Sequence, residues 1–137
     1  MLICIALEKD KEQIMKYDRH IHPERLTACV HDRLVYALWE DNHIVGVLRY
    51  NLFWQSVPFL DLLYIDESFR GKGIGRKAMM AWEEDMKQMG FTYVMLSTQE
   101  DETAKFFYEK IGYLRIGEFL PPEQDAKEIL YCKRFIL

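Results

Sequence analysis

Apolar positions along this chain change their period several times, and each change predicts an element. Leu2 to Leu7 is a short apolar run that fits a strand. From Lys9 to Arg19 the chain turns charged, with Ile14, Met15 and Tyr17 as sparse apolar positions, the pattern of a helix lying on the surface. Pro23 suits a first helical turn, and Leu26, Val30 and Leu34 then recur at four-residue spacing, which predicts a second, amphipathic helix. Val35 to Trp39 and Ile44 to Tyr50 flank the turn Glu40-Asp41-Asn42-His43 and read as a hairpin. Pro58 interrupts the apolar material. Phe59 to Ile65 resumes it, broken only by Asp61, as a strand buried on both faces would be.

After the glycine cluster from Gly71 to Gly75, positions Ala78, Met79, Trp82, Met86 and Met89 fall on one helical face, and Gly90 supplies a stop. Tyr93 to Thr98 returns as a strand. Ala104, Phe107, Tyr108 and Ile111 give the stripe of a further short helix closed by Gly112. Tyr113 to Leu120 and Ile129 to Ile136 finish as two strands around Pro121-Pro122. The helix between the strands 59–65 and 93–98 makes a crossover, which predicts that those two strands run parallel in a mixed α/β fold with a central sheet.

Composition narrows the class. With 137 residues, half of them hydrophobic and 14% aromatic, the chain reads as one domain over residues 1–137. A net charge of −4 argues against general nucleic-acid binding, which needs a basic face. No apolar run approaches the roughly 20 residues of a membrane-spanning helix, and the opening segment turns charged too early for a secretory signal. A soluble, cytoplasmic protein without membrane contact is expected. Cys4, Cys29 and Cys132 show no metal-like spacing and read as small buried apolar residues.

The chemistry concentrates where the strand ending at Ile65 runs through Asp66-Glu67-Ser68-Phe69-Arg70-Gly71-Lys72-Gly73-Ile74-Gly75-Arg76 into the longest helix. A helix start leaves backbone N–H groups without partners at the positive end of the dipole. Glycines let an anion approach it, and Arg70, Lys72 and Arg76 add charge. A nucleoside-triphosphate loop needs Ser or Thr after Gly-Lys, but Gly73 follows Lys72. A nicotinamide fingerprint needs a third glycine where Arg76 stands.

The arrangement Arg-x-x-Gly-x-Gly at Arg70, Gly73 and Gly75 resembles instead a motif of the GCN5-related N-acetyltransferase (GNAT) family. Ala104-Lys105-Phe106-Phe107-Tyr108-Glu109-Lys110-Ile111-Gly112-Tyr113 is similar to that family's second signature, Ala-x-x-x-Tyr-Glu-Lys-x-Gly-Phe. The resemblance implies a GNAT acyltransferase fold: a mostly antiparallel sheet with a parallel, splayed central strand pair and helices on both faces. It implies acetyl-CoA as cofactor, its pantetheine arm held in the splay by backbone groups of Leu63 and Ile65. Its pyrophosphate would lie on Arg70, Gly71, Lys72, Gly73, Ile74, Gly75 and Arg76, with Lys105 or Lys110 near the adenosine 3′-phosphate.

The implied activity is transfer of an acetyl group to an amine of a small molecule or peptide, directly and without an acetyl-cysteine intermediate. The rival is a noncatalytic acyl-CoA-binding or interaction module on the same fold. Tyr108 takes the family's acid position: a phenol, with a pKa of about 10, keeps its proton where a thiol, at about 8.5, begins to lose it. Its place on an apolar stripe also fits a plain core tyrosine. Ile65 or a neighbour offers a backbone N–H to the oxyanion.

Asp61 is the first candidate base. It shares strand parity with Leu63 and Ile65, and so is expected on their face; pairing with a neighbouring side chain is the alternative. His22 is a remote second candidate. Asp101 stands where many family members carry Asn, and reads as a helix cap, its cofactor contact in doubt. The acceptor is expected between the N-terminal helices and the hairpin, against some of Tyr17, Trp39, Tyr50, Phe53, Trp54 and Phe59. The acidic balance favours a cationic acceptor. The C-terminal strand ending Arg134-Phe135-Ile136-Leu137 offers a route to a homodimer.

Overall fold

The computed structural model describes residues 1–136. β1 (Leu2–Ile5) leads through a 3₁₀ turn to α1 (Lys11–Ile14) and α2 (Pro23–His31). β2 (Val35–Glu40), β3 (His43–Phe53) and β4 (Val57–Ile65) follow as a meander. Then come α3 (Ile74–Gln88), β5 (Tyr93–Gln99), α4 (Ala104–Lys110), β6 (Leu114–Phe119) and β7 (Glu128–Arg134). The strands form one sheet in the order β1-β2-β3-β4-β5-β7-β6. Every neighbouring pair is antiparallel except β4 and β5, which are parallel across the α3 crossover.

Two apolar layers flank the sheet. α3 and α4 lay Ala78, Met79, Trp82, Met86 and Tyr108 against Leu48, Leu60, Val94, Leu96, Ile129 and Tyr131. On the other face α1 and α2 set Ile14, Leu26 and Val30 against Val35, Ala37, Val47 and the partly buried Leu62. The periodicity predicts the mixed sheet, and helices on both of its faces are what the resemblance implies.

Four expectations need correction. The charged stretch 9–19 is a 3₁₀ turn and a single turn of α-helix, and it is tied to the core: Ile14 is fully buried, and Asp10 accepts from the Leu7 N–H at 2.9 Å. Leu34 lies beyond α2, because Arg33 turns the backbone left-handed at φ 62°. Pro58 is inside β4 opposite Leu52, near the strand's start and before pairing with β5 begins, where its missing N–H is tolerated. Met89 is 65% exposed past the end of α3 rather than on its buried face.

Candidate active site

β4 is a strand of two halves. It pairs with β5 only at Phe59↔Met95 and Leu60↔Leu96. The reason lies on its other edge, where Tyr50 faces Leu60 but Arg49 faces Leu62. Asp61 is the extra residue of a β-bulge, and a bulge bends its strand and ends regular pairing. From Asp61 onward a gap opens between β4 and β5, about 17 Å long at 3.3 Å per residue to Ile65.

The Asp66 N–H donates to the Val45 carbonyl at 2.7 Å. Antiparallel alternation then turns Leu62 and Tyr64 toward β3 and leaves the backbone groups of Leu63 and Ile65 facing the gap. One of these is taken: the Ile65 carbonyl accepts from Arg70 Nε at 2.9 Å.

At the gap's open end the chain makes the glycine turn that leads into α3. Asp66 braces it, accepting from the Ser68 N–H at 3.0 Å, from Ser68 Oγ at 2.6 Å and from the Tyr17 hydroxyl at 2.9 Å. These bonds, Ser68's first, hold its carboxyl below the usual range. The Arg70 guanidinium folds back 5.1 Å above the Tyr64 ring, so Arg70 serves here as a strut. Gly73, at φ 82°, is the residue preceding α3 and brings no capping side chain, and the first turn holds no acid. The first helical bond is Lys77 N–H to the Gly73 carbonyl, which leaves the N–H groups of Ile74, Gly75 and Arg76 without intrahelical acceptors. A Cβ on Gly75 would stand 3.6 Å from the Phe107 ring and 3.8 Å from Leu63, so Gly75 sits at the mouth of the gap between β4 and α4.

Of the two candidate lysines, Lys105 donates to the Glu100 carbonyl at 2.6 Å. Lys110 lines a cavity of about 360 Å³ with Arg76 and Lys133.

Tyr108 reaches the same region from α4. It is 7% exposed, packed edge-on against Phe107 and Tyr113, and its hydroxyl makes no hydrogen bond among the described residues. Burial, with Glu102 nearby, pushes its pKa well above the ordinary phenol value. Tyr113, 5.8 Å away between ring centres, is bonded instead: it donates to Glu83 at 2.9 Å, and Lys133 closes on the same carboxylate at 2.7 Å.

Asp61 departs from expectation. The bulge resets side-chain parity, so Leu63 and Ile65 join the α3 layer while Asp61 turns to the α1–α2 side. There Asn51 Nδ2 donates to Oδ1 at 2.6 Å and Arg49 to Oδ2 at 3.2 Å. Arg49 is held in turn by Asp18, 3% exposed, through Nε at 2.6 Å. Burial raises the Asp61 pKa, partly offset by Asn51 and Arg49. Tyr108 and Asp61 thus lie on opposite faces of the sheet. The chain joins an uncapped helix start, a slot of free backbone groups, a protonated phenol and a half-buried carboxylate.

The acetyltransferase (GNAT) family pattern matches residues 5–113. This chain belongs to the GNAT family. N-alpha-acetyltransferase 30 of Schizosaccharomyces pombe is 30% identical over 122 residues, which cover 82% of this chain and 76% of that protein. An acetyltransferase of Agrobacterium fabrum is 28% identical over 97 residues, 70% of this chain and 69% of that protein. Among solved structures, Ard1 from Thermoplasma volcanium superposes with a TM-score of 0.87 at 17% identity, over 99% of this chain and 98% of that one. An acetyltransferase from Bacillus anthracis solved with acetyl coenzyme A gives 0.69 at 22% identity, over 74% of this chain and 62% of that one. The splayed sheet described above is the GNAT fold.

In this GNAT chain several further expectations shift. Asp101 is exposed and caps nothing: the residue before α4 is Thr103, with no side-chain cap bond. The six aromatic residues do not form one wall. Tyr50 is buried under α3 against Trp82, Tyr17 stacks on Tyr64, and Phe53, Trp54 and Phe59 cluster at the far end of the β3–β4 hairpin. The cavity beside Asp61 is lined by His20, His22, Arg25, Cys29 and Arg49. The three cysteines are free and half-buried. β7 lies between β5 and β6, so its edges are already paired and the free edge is β6; Leu137 lies outside the described residues. Among the described residues no helix is long and apolar enough to cross a membrane, and no cluster of metal ligands occurs.

Arg49, Asn51, Asp18 and Glu83 are the polar residues that sequence reasoning missed. Arg49 and Asn51 carried a signal, since two polar positions spaced by two on an otherwise apolar strand share one face.

Proposed function

We propose that this GNAT chain transfers the acetyl group of acetyl-CoA directly to an amine of a small molecule or peptide. The observation that carries the reading is Tyr108, a mostly buried side chain whose hydroxyl makes no hydrogen bond among the described residues, in the layer that also holds Leu63 and Ile65 of a gap whose open end is an uncapped helix start.

The residues fit this donor. The N–H groups of Ile74, Gly75 and Arg76, with Gly71, Lys72 and Gly73 shaping the turn, suit a pyrophosphate. The gap-facing groups of Leu63 and Ile65 suit the amides of an extended arm, Arg70 yielding the Ile65 carbonyl or sharing it. Bound there, acetyl-CoA supplies an acyl group already activated as a thioester. Because the gap closes at Leu60, an arm entering at the glycine turn ends beside Asp61.

Tyr108 keeps its proton at neutral pH and holds it ready for the departing sulfur. With the thioester at the Asp61 end of the gap, the nearer gap-facing N–H, that of Leu63 rather than of Ile65, meets charge developing on the carbonyl oxygen. Asp61, on the opposite face, accepts the proton of the incoming ammonium directly or through water.

The test is a melting curve with acetyl-CoA, with CoA, NADH and NADPH beside it. Ligand at about 100 times its Kd adds roughly 2.7 kcal/mol, a clear rise in melting temperature. A rise with acetyl-CoA and CoA alone, followed by amine-dependent thiol release, supports transfer. A rise without thiol release for any amine supports a noncatalytic binding module, and no rise removes the donor from the reading.

A further inference from the structure

We propose that the acceptor of this reaction carries an anionic group, a carboxylate or a phosphate, a few bonds from its reacting amine, and that Arg25 receives it. The inference rests on the acetyl-transfer reading above and names the class of molecule that would fill its second site. It reverses the expectation of a cationic acceptor drawn from the net charge.

The cavity concerned has a volume of about 430 Å³ and lies on the α1–α2 side of the sheet. That size suits a small molecule or the first residues of a peptide. One wall is Arg49, whose guanidinium touches the Asp61 carboxylate at 3.2 Å, so the cavity adjoins the bulge where the gap begins. An amine held at Asp61 therefore extends its remaining atoms into this cavity.

The charges of the cavity are unequal in kind. Arg49 is already answered by Asp18 and Asp61. Arg25 also lines the cavity, is exposed, and makes no ion pair among the described residues. Its guanidinium presents a permanent positive charge and a fork of donors matched to carboxylate and phosphate oxygens. His22 adds a donor. Its Nδ1 accepts from the Glu24 N–H at 3.3 Å, so the ring hydrogen sits on Nε2. His20 lines the same cavity, with Ile21 and Ala28 as apolar surface for a carbon chain. Among the described residues no carboxylate lines this cavity. An amine with a nearby anion satisfies both ends at once, ammonium on Asp61 and anion on Arg25. A polyamine would set a second cation against Arg25.

The experiment compares acceptors that differ only in charge: glycine with glycinamide, O-phosphoethanolamine with ethanolamine, and peptides with Glu or Gln as second residue. Binding to the CoA-saturated protein is measured by calorimetry and kcat/KM by thiol release, in the native protein and in Arg25→Glu. The CoA melting shift of each protein reports separately on the donor site and on folding. We expect at least a tenfold preference for the anionic member of one pair, by calorimetry or by kcat/KM, lost or inverted in Arg25→Glu while the CoA shift stays. Which pair responds distinguishes a free amino acid, a phosphate or a peptide as the source. Equal binding and turnover within every pair, or a preference that survives Arg25→Glu, overturns the proposal. Loss of the CoA shift in the native protein fails the transfer reading instead. Arg25→Lys retains the charge, and there the preference should persist in weakened form.

Discussion

Tyr108 and Tyr113 stand five residues apart in the chain, at either end of the turn that closes α4, with rings 5.8 Å apart in the same apolar layer. Both are buried, and burial pushes both phenols up. One hydroxyl is fully engaged, donating to a Glu83 carboxylate that Lys133 also neutralises. The other meets no protein group among the described residues. A buried hydroxyl bonded into a charged network acts as a brace, whereas one with no partner among the described residues is available to a bound molecule. The same contrast divides the two carboxylates: Glu83, 6% exposed, is closed in by α3, β7 and the α4 turn, whereas Asp61 stands where the gap begins and touches Arg49, which lines a cavity.

Perturbing each side should break this comparison in a different observable. The largest effect expected is from Tyr108→Phe: a loss of about 100-fold in kcat with the CoA melting shift and folding stability nearly unchanged. An equal loss in CoA affinity would move Tyr108 into binding. Lys133→Met leaves Glu83 with Tyr113 alone and should cost about 2 kcal/mol in denaturant unfolding, less than a fully buried pair because Lys133 is 27% exposed. Turnover per folded molecule should hold.

Asp61→Asn should lower kcat/KM about tenfold near neutral pH. The sign of the pH effect follows from burial: a base must be unprotonated, and a raised pKa means the proton returns sooner as pH falls. The acid limb of the rate profile should therefore lie above the ordinary carboxylate range and vanish in the Asn variant. A limb that persists assigns the base elsewhere. The smallest effect is from Tyr113→Phe, about 1 kcal/mol of stability and no change in kcat. If Tyr113→Phe instead cut turnover as Tyr108→Phe does, the distinction between brace and site would fail.

Much of the fold was legible in the residues because period reports directly on burial. The 3.6-residue stripe of α3, the alternation of β5 and the crossover between them required no tertiary knowledge, nor did the uncapped glycine start of α3. Misreadings occurred where one residue breaks the period. Arg33 ends α2 before Leu34, and Asp61 adds a residue to β4, so parity counting placed its carboxylate on the wrong face. Net charge sums over the whole surface, while a cavity is read by the few groups that line it, so the two point to acceptors of opposite charge.

The sequence by itself determined the element order, the parallel pair, the family and the glycine-rich start of α3, since each depends on neighbours within a few turns of chain. Only the tertiary structure decided that Arg49, itself held by Asp18, holds Asp61, that among the described residues Tyr113 is bonded while Tyr108 is not, and that Arg25 lines a cavity with Arg49 and has no ion pair among those residues. Those contacts join residues 12, 30 and 31 positions apart, and their partners are chosen by sheet register and helix docking rather than by local spacing.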